Sequence, residues 1–175
     1  MRAVGQPLRL FFALWPDDAT RAALAARGGE FHRVTGGRAT RPESLHITLA
    51  FLGDCDPARC DAVLAAAARV RPRPFELVLD RVGLWAHNRI AWLGASEMPP
   101  ELEALVRGLR GALADAGLPF DAKPFVPHIT VARKVRPGSA LPALRPVRWP
   151  VAGFALVRSV LDRGGSHYVV LSCWS

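Results

Sequence analysis

The chain has 175 residues, half of them hydrophobic and 22% charged, which excludes a disordered polymer and allows one large domain or two closely packed lobes. The formal net charge is +8 and is carried almost wholly by arginine, since Lys123 and Lys134 are the only lysines. Such a balance suits a polyanionic partner, and it equally suits a surface that arginines merely solvate. Three cysteines, Cys55, Cys60 and Cys173, form no CxxC pair, which argues against a disulfide framework and against a zinc knuckle.

Leu8 to Trp15 reads as a buried first strand ended by Pro16. Interrupted by Arg9, this apolar run is too short for a signal segment or a bilayer span, so a cytoplasmic protein is expected. Asp17 or Asp18 caps an alanine-rich helix expected to reach about Arg27, where Gly28-Gly29 would stop it. A basic loop from His32-Arg33 through Gly36-Gly37-Arg38 to Arg41-Pro42 leads into a strand at Leu45 to Leu52. Asp56-Pro57 opens a helix to about Val70, with a capping side chain followed by proline at the first helical position.

Phe75 to Trp85 and Arg89 to Leu93 look like two strands joined by a turn at Ala86-His87-Asn88. Pro100-Glu101 starts a helix whose apolar positions Leu102, Leu105, Val106, Leu109 and Leu113 follow helical spacing, with Gly117 as its stop. A further strand spans His128 to Val135, and a stretch containing Pro137, Pro142, Pro146 and Pro150 reads as a surface loop. Two closing strands, Val151 to Leu161 and His167 to Trp174, would be joined by a turn at Arg163-Gly164-Gly165. No linker divides the chain. The order of elements predicts an α+β fold of two pseudo-symmetric lobes with antiparallel sheets, packed across a cleft as one domain over 1–175.

The duplication rests on one pattern. His46-Ile47-Thr48-Leu49 recurs as His128-Ile129-Thr130-Val131, 82 residues further along. Side chains alternate on a strand, so each histidine shares a face with its threonine while Ile47 and Leu49 take the other. A single such pair is most often an ordinary half-exposed polar face. Two pairs facing each other around a phosphate would supply a base on one side of the phosphorus and an acid on the other, with hydroxyl donors for the non-bridging oxygens. No cluster of acidic residues with histidine suggests a metal, and no P-loop or lysine nucleotidyl-acceptor motif suggests ATP-driven chemistry.

The paired motifs resemble the HxTx signature of the 2H phosphoesterases, and the wider pattern resembles the bacterial RNA 2′,3′-cyclic phosphodiesterases, the LigT-like group also called 2′-5′ RNA ligases. Matching stretches are Arg9 to Leu14, Ser44 to Gly53 and Pro124 to Arg133, with the hairpin at Val82 to Gly94 and the closing Ser159 to Tyr168 strands. The resemblance implies His46 as proton donor to the leaving ribose oxygen and His128 as the base that activates water. It implies that Thr48 and Thr130 hold the phosphate, and that Arg133 adds positive charge. In a regular strand Arg133 would face away from His128, so a bulge is needed to bring it round. Phe11 is a candidate to stack on a base, against a plain core role in an apolar strand. The implied reaction opens a terminal 2′,3′-cyclic phosphate of RNA to a 2′-phosphomonoester without metal or cofactor, and a related reaction joins such an end to a 5′-hydroxyl through a 2′-5′ linkage; no obligate protein partner is evident.

His32, His87 and His167 lack a partner threonine and read as loop, turn and strand surface. Arg38 and Arg41 either flank the cleft or are solvated. Two other readings stand beside the enzyme: a non-catalytic RNA- or phosphate-binding module, which arginine or lysine would serve better than paired histidines, and a phosphodiesterase of the same superfamily acting on small cyclic nucleotides.

Overall fold

A computed structural model describes residues 6–143, 145–163 and 165–175. In chain order its elements are β1 (Leu8–Leu14), α1 (Asp18–Thr35), β2 (Arg38–Ala39), β3 (Ile47–Cys55), α2 (Cys60–Ala68), β4 (Phe75–Leu79), β5 (Arg81–Trp85), β6 (Ile90–Gly94), α3 (Pro100–Asp115), β7 (His128–Arg133), β8 (Val147–Val151), β9 (Phe154–Asp162) and β10 (Gly165–Trp174). They form a sheet in the order β10-β9-β1-β3, a second in the order β2-β7-β6-β5, and a two-stranded ladder of β4 and β8, with every pairing antiparallel.

The two lobes are pseudo-symmetric, but they are not the two halves of the chain. In the first lobe β1 pairs with β3 and is flanked by β9; in the second β6 pairs with β7 and is flanked by β5. The hairpin β9–β10, last in sequence, completes the first sheet, and β5 from the first half completes the second. The helices are exchanged as well: α1 packs on β7, and α3 packs on β3. One continuous core results, running from Leu10, Phe12 and Leu14 through Leu24 and Phe31 to Leu109, Ile129 and Trp149. A small separate cluster of Phe11, Ala13, Ala155 and Val157 lies on the other face of the first sheet, where β1 alternation sends every second side chain.

Where the elements depart from the sequence expectations, the causes are contacts in the fold. Helix α1 does not stop at Gly28-Gly29 but continues to Thr35, so His32 and Arg33 are helical, and Gly36 ends it in the left-handed conformation (φ 66°). Gly28 is buried because the helix backbone passes close to β7; a Cβ there would stand 3.2 Å from the Val131 carbonyl. The expected single strand from Phe75 to Trp85 is two strands in different sheets, broken at Asp80, whose carboxylate accepts from the Ser96 amide (2.7 Å) and hydroxyl. Val147 to Val151, read as loop and as the start of a closing strand, is the separate strand β8. Its Pro150 is tolerated because a two-stranded ladder has only edges. Gly164 of the expected last turn lies outside the described residues. Among the described residues no helix is long and apolar enough to cross a membrane.

Candidate active site

The two motif strands approach each other where the sheets meet, β3 against β7. A cavity of about 760 Å³ opens along that seam, and His46, Thr48, His128, Thr130, Arg133 and Phe11 all line it. Every residue that the sequence singled out for the site is therefore in one place. Arg38, Arg41, Thr40, Phe51 and Tyr168 line it too. A second cavity of about 500 Å³, near α2 and α3, sets Arg69, Arg71 and Arg73 against Glu101 and Asp115 and contains no histidine among its described residues.

The histidines are oriented in the same way. His46 precedes β3 by one residue, and its Nδ1 lies 2.8 Å from the Ser44 carbonyl; His128 opens β7, and its Nδ1 lies 2.8 Å from the Val126 carbonyl. A carbonyl only accepts, so each Nδ1 carries a hydrogen and each Nε2 is left for the cavity. The buried Ile47, Leu49, Ile129 and Val131 fix the strands by their other faces. Aromatic rings close around each imidazole. Phe11 (centroids 4.9 Å apart), Trp15 (5.7 Å, nearly parallel) and Tyr168 (5.1 Å, edge-on) surround His46. Trp85 stands edge-on to His128 at 4.7 Å and is backed by Trp92, whose ring lies across Gly83. Phe11 itself is only 3% exposed, packed against His46, Phe51 and Tyr168, so little of its face is open to a base.

Burial is the main reason that the His46 pKa falls to about 4, with the neighbouring positive charge of His128 and Arg133 adding to it against the opposing Ser44 hydrogen bond. In this environment His46 is neutral at physiological pH.

The required bulge exists, and it exists twice. In β7 the pairing with β6 passes from Thr130–Trp92 to Ala132–Ala91, leaving Val131 extra, so Val131 and Ala132 are both buried and Arg133 returns to the side of His128. In β3 the pairing with β1 passes from Thr48–Ala13 to Ala50–Phe12, Leu49 and Ala50 are both buried, and Phe51 returns to the side of His46. Arg133 and Phe51 are thus pseudo-equivalent, each five residues after its histidine. The sequence carried this signal as two consecutive apolar residues after each threonine, a break in alternation.

Arg38 on β2 stands opposite Arg133. Arg41 donates from Nη2 to the Ser166 carbonyl (2.8 Å), tying the loop before the first motif to the β9–β10 hairpin. His32, in the last turn of α1, has Nδ1 2.6 Å from the Gly37 carbonyl, His87 lies in the β5–β6 turn, and His167 sits 3.1 Å from Asp162; none lines the cavity. Trp15, Tyr168 and Trp85 were missed by sequence reasoning, because single aromatics give no signal until the fold brings them to a histidine.

The profile of the family described as LigT-like phosphoesterase matches residues 14–92 and again 93–168, one match for each motif. The chain is 33% identical to an RNA 2′,3′-cyclic phosphodiesterase of Escherichia coli over 98% of both chains, and 34% identical to one of Thermus thermophilus over 96% of this chain and 90% of the other. The crystal structure of E. coli LigT complexed with 3′-AMP superposes with a TM-score of 0.86 at 32% identity, covering 97% of this chain and 98% of that one. The chain belongs to the LigT-like phosphoesterases, within the 2H phosphoesterase superfamily.

Proposed function

We propose that this protein is an RNA 2′,3′-cyclic phosphodiesterase that opens a terminal cyclic phosphate to a 2′-phosphomonoester, using His46 and His128 within a single domain. The observation that carries this is the pair of imidazoles in one cavity, each held through Nδ1 and each beside its own threonine. His128, the less enclosed of the two, takes a proton from water at Nε2 as the water oxygen attacks phosphorus. The bond from phosphorus to the ribose 3′ oxygen breaks on the opposite side, and His46 Nε2 delivers the proton to that oxygen. Thr48 and Thr130 donate to the non-bridging oxygens, and Arg133 balances the charge that grows on them.

This assignment makes a demand on His46. As the donor it must be protonated, whereas its protein surroundings alone hold its pKa near 4. The anionic phosphate, placed next to it, supplies the missing stabilisation of the imidazolium. With a 5′-hydroxyl in place of water, the same displacement joins two RNA ends through a 2′-5′ linkage. The family names of the relatives in E. coli and T. thermophilus support the substrate, as do the arginines that line the cavity.

The test is hydrolysis of an oligoribonucleotide ending in a 2′,3′-cyclic phosphate, in EDTA, by the wild type, His46→Ala and His128→Ala. Formation of a 2′-phosphate that both variants lose is the expected result. Full activity in either variant removes that histidine from the chemistry, and a 3′-phosphate product reverses the geometry of the leaving group.

A further inference from the structure

The cavity holds more positive charge than one phosphodiester needs. Four arginines line it, Arg9, Arg38, Arg41 and Arg133, and among the described residues no aspartate or glutamate does. Arg38 and Arg133 stand opposite each other beside the second motif, and Arg41 is engaged with Ser166 and Glu43. Arg9 belongs to the other sheet. Its guanidinium lies over the Phe51 ring, 5.0 Å from the centroid, and among the described residues it forms no ion pair, not even with Asp54, its register partner across β1–β3.

Position separates Arg9 from the reacting phosphate. Thr48 lies opposite Ala13 on β1, and Arg9 is four residues further along the same strand, roughly 14 Å at the usual rise. Phe51, turned inward by the β3 bulge, lies between them with its ring beneath the guanidinium. A guanidinium held over an aromatic ring keeps its N–H groups, which radiate in its own plane, available to a phosphate. The arrangement repeats in miniature the basic, aromatic-lined groove that tracks a single-stranded backbone.

We propose that Arg9, supported by Phe51, binds a backbone phosphate one or two nucleotides on the 5′ side of the cyclic end, so that oligonucleotide ends are turned over in preference to mononucleoside 2′,3′-cyclic phosphates. This rests on the RNA-end reading above and adds to it a second anchoring point. Arg9 is a specificity residue here and takes no part in the chemistry.

The experiment compares kcat/KM on a mononucleoside 2′,3′-cyclic phosphate and on a pentaribonucleotide carrying the same end, for the wild type and Arg9→Ala. Arg9→Ala is expected to lower kcat/KM on the pentanucleotide about tenfold, mainly through KM, and to flatten the salt dependence of that KM by about 0.7 in log–log slope, one phosphate contact on a single strand. The mononucleotide rate should stay within about twofold, the usual background of a surface change. A wild-type assay covers the case in which the variant folds poorly: replacing the upstream phosphates of the pentanucleotide by neutral methylphosphonates should reproduce the loss. Equal loss on both substrates, no loss on either, or indifference to the methylphosphonates overturns the subsite while leaving the RNA-end chemistry standing. Failure of the wild type to hydrolyse both substrates overturns the two together.

Discussion

His46 links the site to folding stability. Its ring is enclosed by Phe11, Trp15 and Tyr168, and burial, with His128 and Arg133 nearby, lowers its pKa to about 4. An imidazole in the unfolded chain titrates near 6.5. Between those values the unfolded chain binds a proton that the folded protein does not, so this residue makes the protein less stable as pH falls from about 6.5 toward 4. Linkage between pH 7 and about pH 4.5 amounts to about 2 kcal/mol. His46→Gln keeps a planar polar side chain and removes the titration. Urea unfolding of both proteins at a series of pH values isolates the term, because the carboxylates that dominate general acid destabilisation cancel in the difference. The wild type should lose about 2 kcal/mol more than the variant over that range. Parallel curves, with a constant offset, refute the reasoning and mean that water reaches His46 freely. Saturating inorganic phosphate should shrink the difference if an anion between the histidines restores the imidazolium.

Removing one wall of the enclosure, Tyr168→Ala, should raise the His46 pKa by about one unit toward its unperturbed value, followed by the NMR titration of the ring, and move the acid limb of kcat/KM upward with it. Gly83→Ala would push a methyl group into the Trp92 ring and through it displace Trp85 from His128; a loss of about 1–3 kcal/mol in urea unfolding and a fall in kcat larger than the change in KM are expected. Arg38→Ala removes one of two like charges paired directly across β2–β7, so it should raise stability by about 0.5 kcal/mol at low salt while weakening inorganic phosphate binding, measured by calorimetry. An effect of Arg38→Ala on stability that persists unchanged in high salt would exclude charge repulsion as its cause.

Much of this protein was legible without coordinates, because the relevant signals were local. Alternation placed His46 and Thr48 on one face and Ile47 and Leu49 on the other, and the buried and cavity-lining residues follow that division. Asp17 caps α1 through the Thr20 amide, and Asp56 caps the short 3₁₀ turn ahead of α2. The hairpin around His87 and the stop at Gly117 also follow from turn and cap chemistry. The misreadings share a different origin. Gly28 and Pro150 carry strong local preferences that long-range packing overrides: one needs its missing side chain to approach Val131, and the other sits on an edge where no amide hydrogen is required.

The sequence by itself determined which residues line the candidate site, since a repeated His-x-Thr on strands is written in residue identity and a period of two. The exchange of helices and strands between the lobes belongs to the tertiary structure, because nothing local in β9 or β5 states which sheet it will complete. The direction of Arg133 was decided there too. A bulge at Val131 is stable only with Ala91 and Trp92 of the neighbouring strand to register against, and that single inserted residue is what turns a guanidinium from solvent to the cavity that His128 lines. The low pKa of His46 likewise required Trp15 and Tyr168, 31 residues before it and 122 after, to be packed around one ring by the pairing of β1, β9 and β10.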